Sequence, residues 1–112
     1  MVRPATRRMI RLTQEASDDL AGIAASTTAT WGIAQATRYI SEVRSLFELI
    51  ESQPGIGPRV PGWPHLRCVI LRGKSGRLGH GHRIFYSDAE REIVIVRILH
   101  TALNWTQILD RD

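Results

Sequence analysis

The sequence predicts an α+β fold: an N-terminal strand, a two-helix antiparallel hairpin packed on an antiparallel four-stranded sheet, and a short C-terminal helix. Three observations predict it. Apolar residues recur at helical spacing through two successive stretches of the first half, with Gly32 between them. A run of prolines and glycines from Pro54 to His65 closes that half. Beyond it, alternating or continuous apolar segments are divided by turn residues. The length, 112 residues, is that of a single domain (1–112) with one core.

Thr6 to Leu12 reads as the first strand, with Ile10 and Leu12 on one face and Met9 and Arg11 on the other. Thr13 is a helix N-cap, and Glu15, Asp18 and Asp19 place carboxylates near the positive end of the helix dipole. Ala16, Leu20, Ile23, Ala24, Thr27 and Trp31 then define a helix from about Gln14 to Thr30. Gly32 breaks it. A second helix starts near Ile33 on the stripe Ala36, Ile40, Val43, Phe47 and Ile50, which Tyr39 and Leu46 widen. Outside the stripe, Arg38–Glu42 and Arg44–Glu48 have the i,i+4 spacing of helical ion pairs. Pro54 ends this helix by Gln53. The short break makes the two helices an antiparallel hairpin.

Pro54 to His65 is a connecting loop; the residues after it are too few for an independent core, which excludes an interdomain linker. Leu66 to Arg72 is the second strand and Gly73-Lys74-Ser75-Gly76 its turn. His82 to Ser87 is the third strand, Asp88 to Arg91 the next turn, and Glu92 to His100 the fourth strand. Ile93-Val94-Ile95-Val96 is apolar on both faces, which marks a central strand. The N-terminal strand suits the place beside it, and tracing the hairpins sets those two antiparallel. Asn104 to Leu109 forms the terminal helix. The sheet face away from the hairpin has no helical layer, so function is sought there and in the groove beside the helices.

Composition narrows the class. Hydrophobic residues make up 43% and charged residues 23%, as in a globular domain and not a disordered chain. No stretch has the roughly 18 uninterrupted apolar residues of a membrane span. Met1 to Leu12 carries four arginines and no apolar run behind them, unlike a secretory signal. Cys68 is the single cysteine, which excludes an internal disulfide and a cysteine-rich zinc module. A small cytosolic domain is expected. The net charge is +4, and 14 of the 15 basic residues are arginine, Lys74 being the exception. Arginine grips carboxylates and phosphates with a planar fork, so partners bearing either are permitted; a genome-wide arginine bias is the plainer alternative.

Few residues stand out for chemistry. His80 and His82 lack a third ligand at metal-site spacing, so no metal is expected. Arg97 interrupts an apolar strand, which marks either a functional side chain or a structural pair with a carboxylate such as Asp110 or Glu92. His100 is a general acid–base candidate or a packing histidine at a strand end, and alternation points it away from Arg97. Cys68 reads as a small core residue, and Trp63 and Trp105 as amphipathic anchors. Phosphate loops, dinucleotide fingerprints and serine-hydrolase elbows do not occur, and no cofactor is expected.

Several stretches resemble the ParE-type toxins of the RelE/ParE superfamily. These are Leu12 to Ile23, Thr30 to Ile40 with its Trp31-Gly32 break, and the loop Gln53-Pro54-Gly55-Ile56-Gly57. His82-Arg83-Ile84-Phe85-Tyr86 and Ile95-Val96-Arg97-Ile98-Leu99-His100 are similar to the family's last two strands. Asn104 stands where the family usually has an acidic residue, and the hairpin Leu71 to Gly79 is longer than usual. The resemblance implies the toxin of a type II toxin–antitoxin system, of the kind that stabilises plasmids, neutralised in a hetero-oligomer by a cognate ParD-like, ribbon-helix-helix antitoxin. It implies DNA gyrase as the target. A ribosome-dependent mRNA endonuclease of the RelE type is the alternative, with Arg72, Arg83, Arg97 and His100 in the catalytic roles. No glutamate or tyrosine stands near the C-terminus as a base, which favours a non-enzymatic poison. On that reading Arg97, His100 and Trp105 meet the target, and Leu20, Ile23 and Val43 meet the antitoxin.

Overall fold

The computed structural model describes residues 9–73, 81–89 and 92–111. Strand β1 (Met9–Leu12) passes through Thr13 into helix α1 (Gln14–Trp31), and Gly32 separates it from α2 (Ile33–Ser52). A loop leads to β2 (Arg59–Val60), β3 (Trp63–Arg72), β4 (Gly81–Ala89) and β5 (Glu92–His100); α3 (Trp105–Arg111) follows. The His80 of the candidate histidine pair, the start of the first expected strand, most of the first expected turn and half of the second lie outside the described residues; the other half of the second turn, 88–89, belongs to β4.

Local chemistry explains the helix ends. The Thr13 hydroxyl accepts the Ala16 N–H at 3.0 Å as an N-cap and itself donates to the Val96 carbonyl at 2.8 Å. Gly32 turns the chain at φ +89°, a value that costs glycine little, and its N–H closes α1 on the Thr28 carbonyl at 2.9 Å. Neither expected i,i+4 ion pair forms among the described residues: Arg38 turns to the Gln35 Oε1 at 3.0 Å instead.

The sheet has five strands in the order β1-β5-β4-β3-β2 and is mixed. β1 lies beside the central β5 as expected, but parallel to it, with Ile10 opposite Ile93 and Leu12 opposite Ile95. The sequence reading made this pair antiparallel because it took Pro54 to His65 as plain loop. That stretch holds a further reversal, the β2–β3 hairpin, turned at Pro61-Gly62 with Gly62 at φ +88°. One added reversal changes the parity of the trace and sets β1 and β5 parallel. The fifth strand was hidden because two residues are too few to show alternation.

The hairpin stripe packs as its spacing implies. Ala16, Val43 and Ile50 are wholly buried against Ile84, Ile93 and Ile95. The stripe of α1 overshoots the sheet, however, and Trp31 at its end is 68% exposed. The opposite sheet face is not bare, which corrects the sequence expectation. α3 folds over it, and Leu109 joins Val60, Leu66, Phe85 and Leu99 in a second buried cluster. Among the described residues no helix is long and apolar enough to cross a membrane.

Candidate functional site

A cleft of about 320 Å³ opens where the hairpin overshoots the ends of β4 and β5. Its deep wall is built by long-range register, because His82 on β4 lies directly opposite His100 on β5. The two imidazoles meet edge to face at 5.3 Å between ring centres. Tyr39 reaches down from α2, and its Oη lies 2.6 Å from His82 Nδ1. The His100 Nδ1 accepts the Ala102 N–H at 3.0 Å, which leaves the His100 Nε2 as its protonated nitrogen. Burial, reinforced by His100, pushes His82 down to about 4. Burial, with Glu42 adding repulsion, pushes the Tyr39 phenol up to about 12. Both groups are therefore neutral near pH 7, and the His82 tautomer sets which of them donates in this hydrogen bond. Trp31, Glu42 and the hydroxyls of Ser26, Thr27 and Thr30 line the outer part of the cleft.

A second concavity, a groove of about 410 Å³, runs along the outside of the hairpin between Ala24, Thr28, Ile33 and Ile40. Ile33 is 75% exposed at its end. Trp31 and Ile33 flank Gly32, so two large apolar side chains stand in solvent at one turn of the chain.

The structure disperses the residues that sequence singled out. Leu20, Ile23 and Val43 were expected on the antitoxin-facing surface. Val43 is wholly buried and Ile23 is 7% exposed, because their stripe faces the sheet and not the outer groove. Leu20 is half-buried at the margin of the same core. Trp105 packs against Trp63 and Phe85, with ring centres 5.7 and 5.6 Å away, as part of the cover over the second face. His100 alone of the three expected target contacts lines an open cleft.

Arg97 has a structural partner, though neither carboxylate that sequence proposed. β1 ends at Leu12, so β5 loses its strand neighbour beyond Ile95. Side chains take over its exposed edge. The Asp19 carboxylate accepts the Ile98 N–H at 2.9 Å and both Nε and Nη2 of Arg97 at 2.8 and 2.9 Å. A bulge at Val96 sets this geometry: Phe85 pairs with Arg97 and Tyr86 already with Ile95. Glu92 instead pairs with Arg11 at 2.7 Å, in the open.

The Pro-Gly loop is a clasp. The wholly buried Tyr86 sends its hydroxyl to the Pro54 carbonyl at 2.8 Å and accepts the Gly57 N–H at 2.9 Å. Arg67 donates to the Gly57 carbonyl at 2.7 Å and to Asp88 at 3.0 Å, and Arg59 joins Asp88 from β2. Burial alone drives the Asp88 carboxyl upward, but hydrogen bonds from Arg67 and Arg59 more than reverse this and hold it below its ordinary value. Cys68 sits against the second cluster with its thiol pushed up to about 11 by burial, so it is no nucleophile at neutral pH. No group of three metal-ligating side chains occurs among the described residues.

Helical hairpin, mixed sheet and clasped loop together make a small α+β fold, and comparison with known proteins places it in a family. The family model described as ParE toxin of type II toxin-antitoxin system, parDE, matches residues 10–105. Toxin ParE1 of Caulobacter vibrioides is 33% identical over 94 residues, covering 84% of this chain and 90% of that protein. A chain of the chromosomal ParDE TA system from P. aeruginosa superposes with a TM-score of 0.69 at 18% identity, covering 87% of this chain and 99% of the other. This chain belongs to the ParE toxin family of type II toxin–antitoxin systems.

Proposed function

We propose that the protein acts in the cytoplasm as the toxin half of a ParDE pair, that it arrests growth by binding DNA gyrase without cleaving RNA, and that a ParD-like, ribbon-helix-helix antitoxin neutralises it. Family membership supports the toxin–antitoxin pair; the gyrase target is what the resemblance to ParE-type toxins implies. The cleft chemistry supports a non-nucleolytic action. Phosphodiester cleavage needs cations at the scissile phosphate. The described lining of the Tyr39–His82–His100 cleft instead holds the Glu42 carboxylate and no arginine or lysine. Arg83, a catalytic candidate on the nuclease alternative, donates to the Thr101 carbonyl at 2.8 Å.

The observation that carries the antitoxin reading is the exposed pair Trp31 and Ile33 at the end of the hairpin groove. An amphipathic helix laid along that groove covers them, as one part of an interface on the order of 1,600 Å². The test is growth. Cells expressing the protein alone should stop dividing, and co-expression of the product of the neighbouring reading frame should rescue them. Ile33→Asp leaves the core untouched, so it should stay folded and toxic but escape rescue. Full rescue of the Ile33→Asp toxin would place the antitoxin elsewhere.

A further inference from the structure

Glu42 stands on the wall of the Tyr39–His82–His100 cleft, half-buried, with neither hydrogen bond nor ion pair among the described residues. Helical spacing offers it Arg38 one turn earlier, yet Arg38 donates to the Oε1 of Gln35, another residue of the cleft lining, at 3.0 Å. The remaining described lining is rich in hydrogen-bonding groups: the Ser26, Thr27 and Thr30 hydroxyls, the Gln35 amide, the Tyr39 phenol and two imidazoles. In a chain of net charge +4, that described lining holds one carboxylate, Glu42, and no arginine or lysine. A cation entering the cleft gives this carboxylate the charge-assisted hydrogen bonds that it lacks.

We propose that this cleft is a recognition site for an arginine side chain presented by the antitoxin, held by the Glu42 carboxylate and the exposed Trp31 ring. The partner in this statement rests on the toxin–antitoxin reading. The chemistry selects arginine over lysine. A guanidinium lies flat on an indole face while its N–H fork meets a carboxylate and nearby hydroxyls; an ammonium satisfies the charge but offers no plane to stack. The volume, about 320 Å³, accommodates one long side chain. Position supplies the link to the partner: Trp31 at the cleft and Ile33 on the outer groove are separated by Gly32 alone, so a helix lying on the groove passes the cleft mouth.

The test uses the isotopically labelled free protein with N-acetyl-arginine methylamide as the probe, followed by nuclear magnetic resonance. The Trp31 indole N–H and the Glu42 amide should shift saturably, with a dissociation constant on the order of 10 mM. The citrulline analogue, of the same shape without charge, should give less than about a tenth of that response, and Glu42→Gln should lower the arginine response to the same level. Equal shifts from both probes, no shift from arginine, or an undiminished response in folded Glu42→Gln overturns the proposal. The two readings fail separately. Arginine binding that depends on Glu42, in a toxin whose Glu42→Gln variant the antitoxin still binds and rescues at full strength, removes the antitoxin as the source of the side chain. Failure of the free protein to bind the arginine probe overturns this site alone; the toxin–antitoxin reading is tested separately, by growth arrest and rescue.

Discussion

Arg97→Ala separates the role that the strand sequence suggests from the one that the fold supplies. The substitution removes two charge-assisted hydrogen bonds and the counter-charge from Asp19, which keeps the Ile98 N–H. Leaving one member of a buried ion pair alone costs about 3–5 kcal/mol. Here the two side chains retain 17% and 15% of their exposure, so water reaches the orphaned carboxylate and the expected loss falls to about 2–3 kcal/mol. For a domain of this size that lowers the melting temperature by about 8–12 °C. Urea denaturation should show a lower midpoint with an unchanged slope, and a double-mutant cycle with Asp19→Ala should return a coupling of about 1–2 kcal/mol. Toxicity should fall only as far as the folded population falls. A variant within about 0.5 kcal/mol of the parent that no longer arrests growth would refute the reasoning and make Arg97 a target contact.

Three further outcomes follow from the clasp and the cleft. Gly57→Ala should destabilise by about 2–3 kcal/mol in urea denaturation, because an added Cβ falls 2.8 Å from the Cys68 carbonyl oxygen and 3.0 Å from the Tyr86 hydroxyl. Tyr86→Phe should cost about 2–4 kcal/mol by the same measurement, since it strands the Gly57 N–H and the Pro54 carbonyl. His82 has a folded-state value below its unfolded one, so its stabilisation is complete above about pH 6.5 and is lost as pH falls toward about 4. Its ring is partly open to solvent, which limits the loss to about 1–2 kcal/mol; a proton titration of the ring with a midpoint near 6.5 would contradict the buried geometry.

The helical half was legible because its signals are local. Thr13, Gly32 and Pro54 each act on neighbouring backbone, and they place the ends of α1 and α2 where the fold has them. β5 was equally plain, since a strand buried on both faces is apolar throughout. Parity was not legible, because it turned on a two-residue strand inside a Pro-Gly loop. The cover over the second sheet face was missed for a related reason: α3 is one of the shortest elements, and its docking depends on Leu109 and Trp105 meeting residues far earlier in the chain. The cleft was half visible. His82 and His100 were both noticed, but their pairing is a matter of register, and Tyr39 read as one more apolar position of a helical stripe. Glu42 was hidden behind an apparent ion pair that the side chains do not make. Arg97 was rightly seen as out of place in its strand, but its partner Asp19 had been read only as a first-turn carboxylate suited to the helix dipole.

The reading of this chain as a gyrase-directed ParE toxin is tested most directly by DNA supercoiling with purified gyrase, run beside a translation-dependent mRNA cleavage reaction on the same toxin preparation. The account predicts that supercoiling falls with toxin concentration, that the antitoxin restores it, and that the message stays intact. Intact supercoiling together with cleaved message would contradict it and replace it with the nuclease alternative.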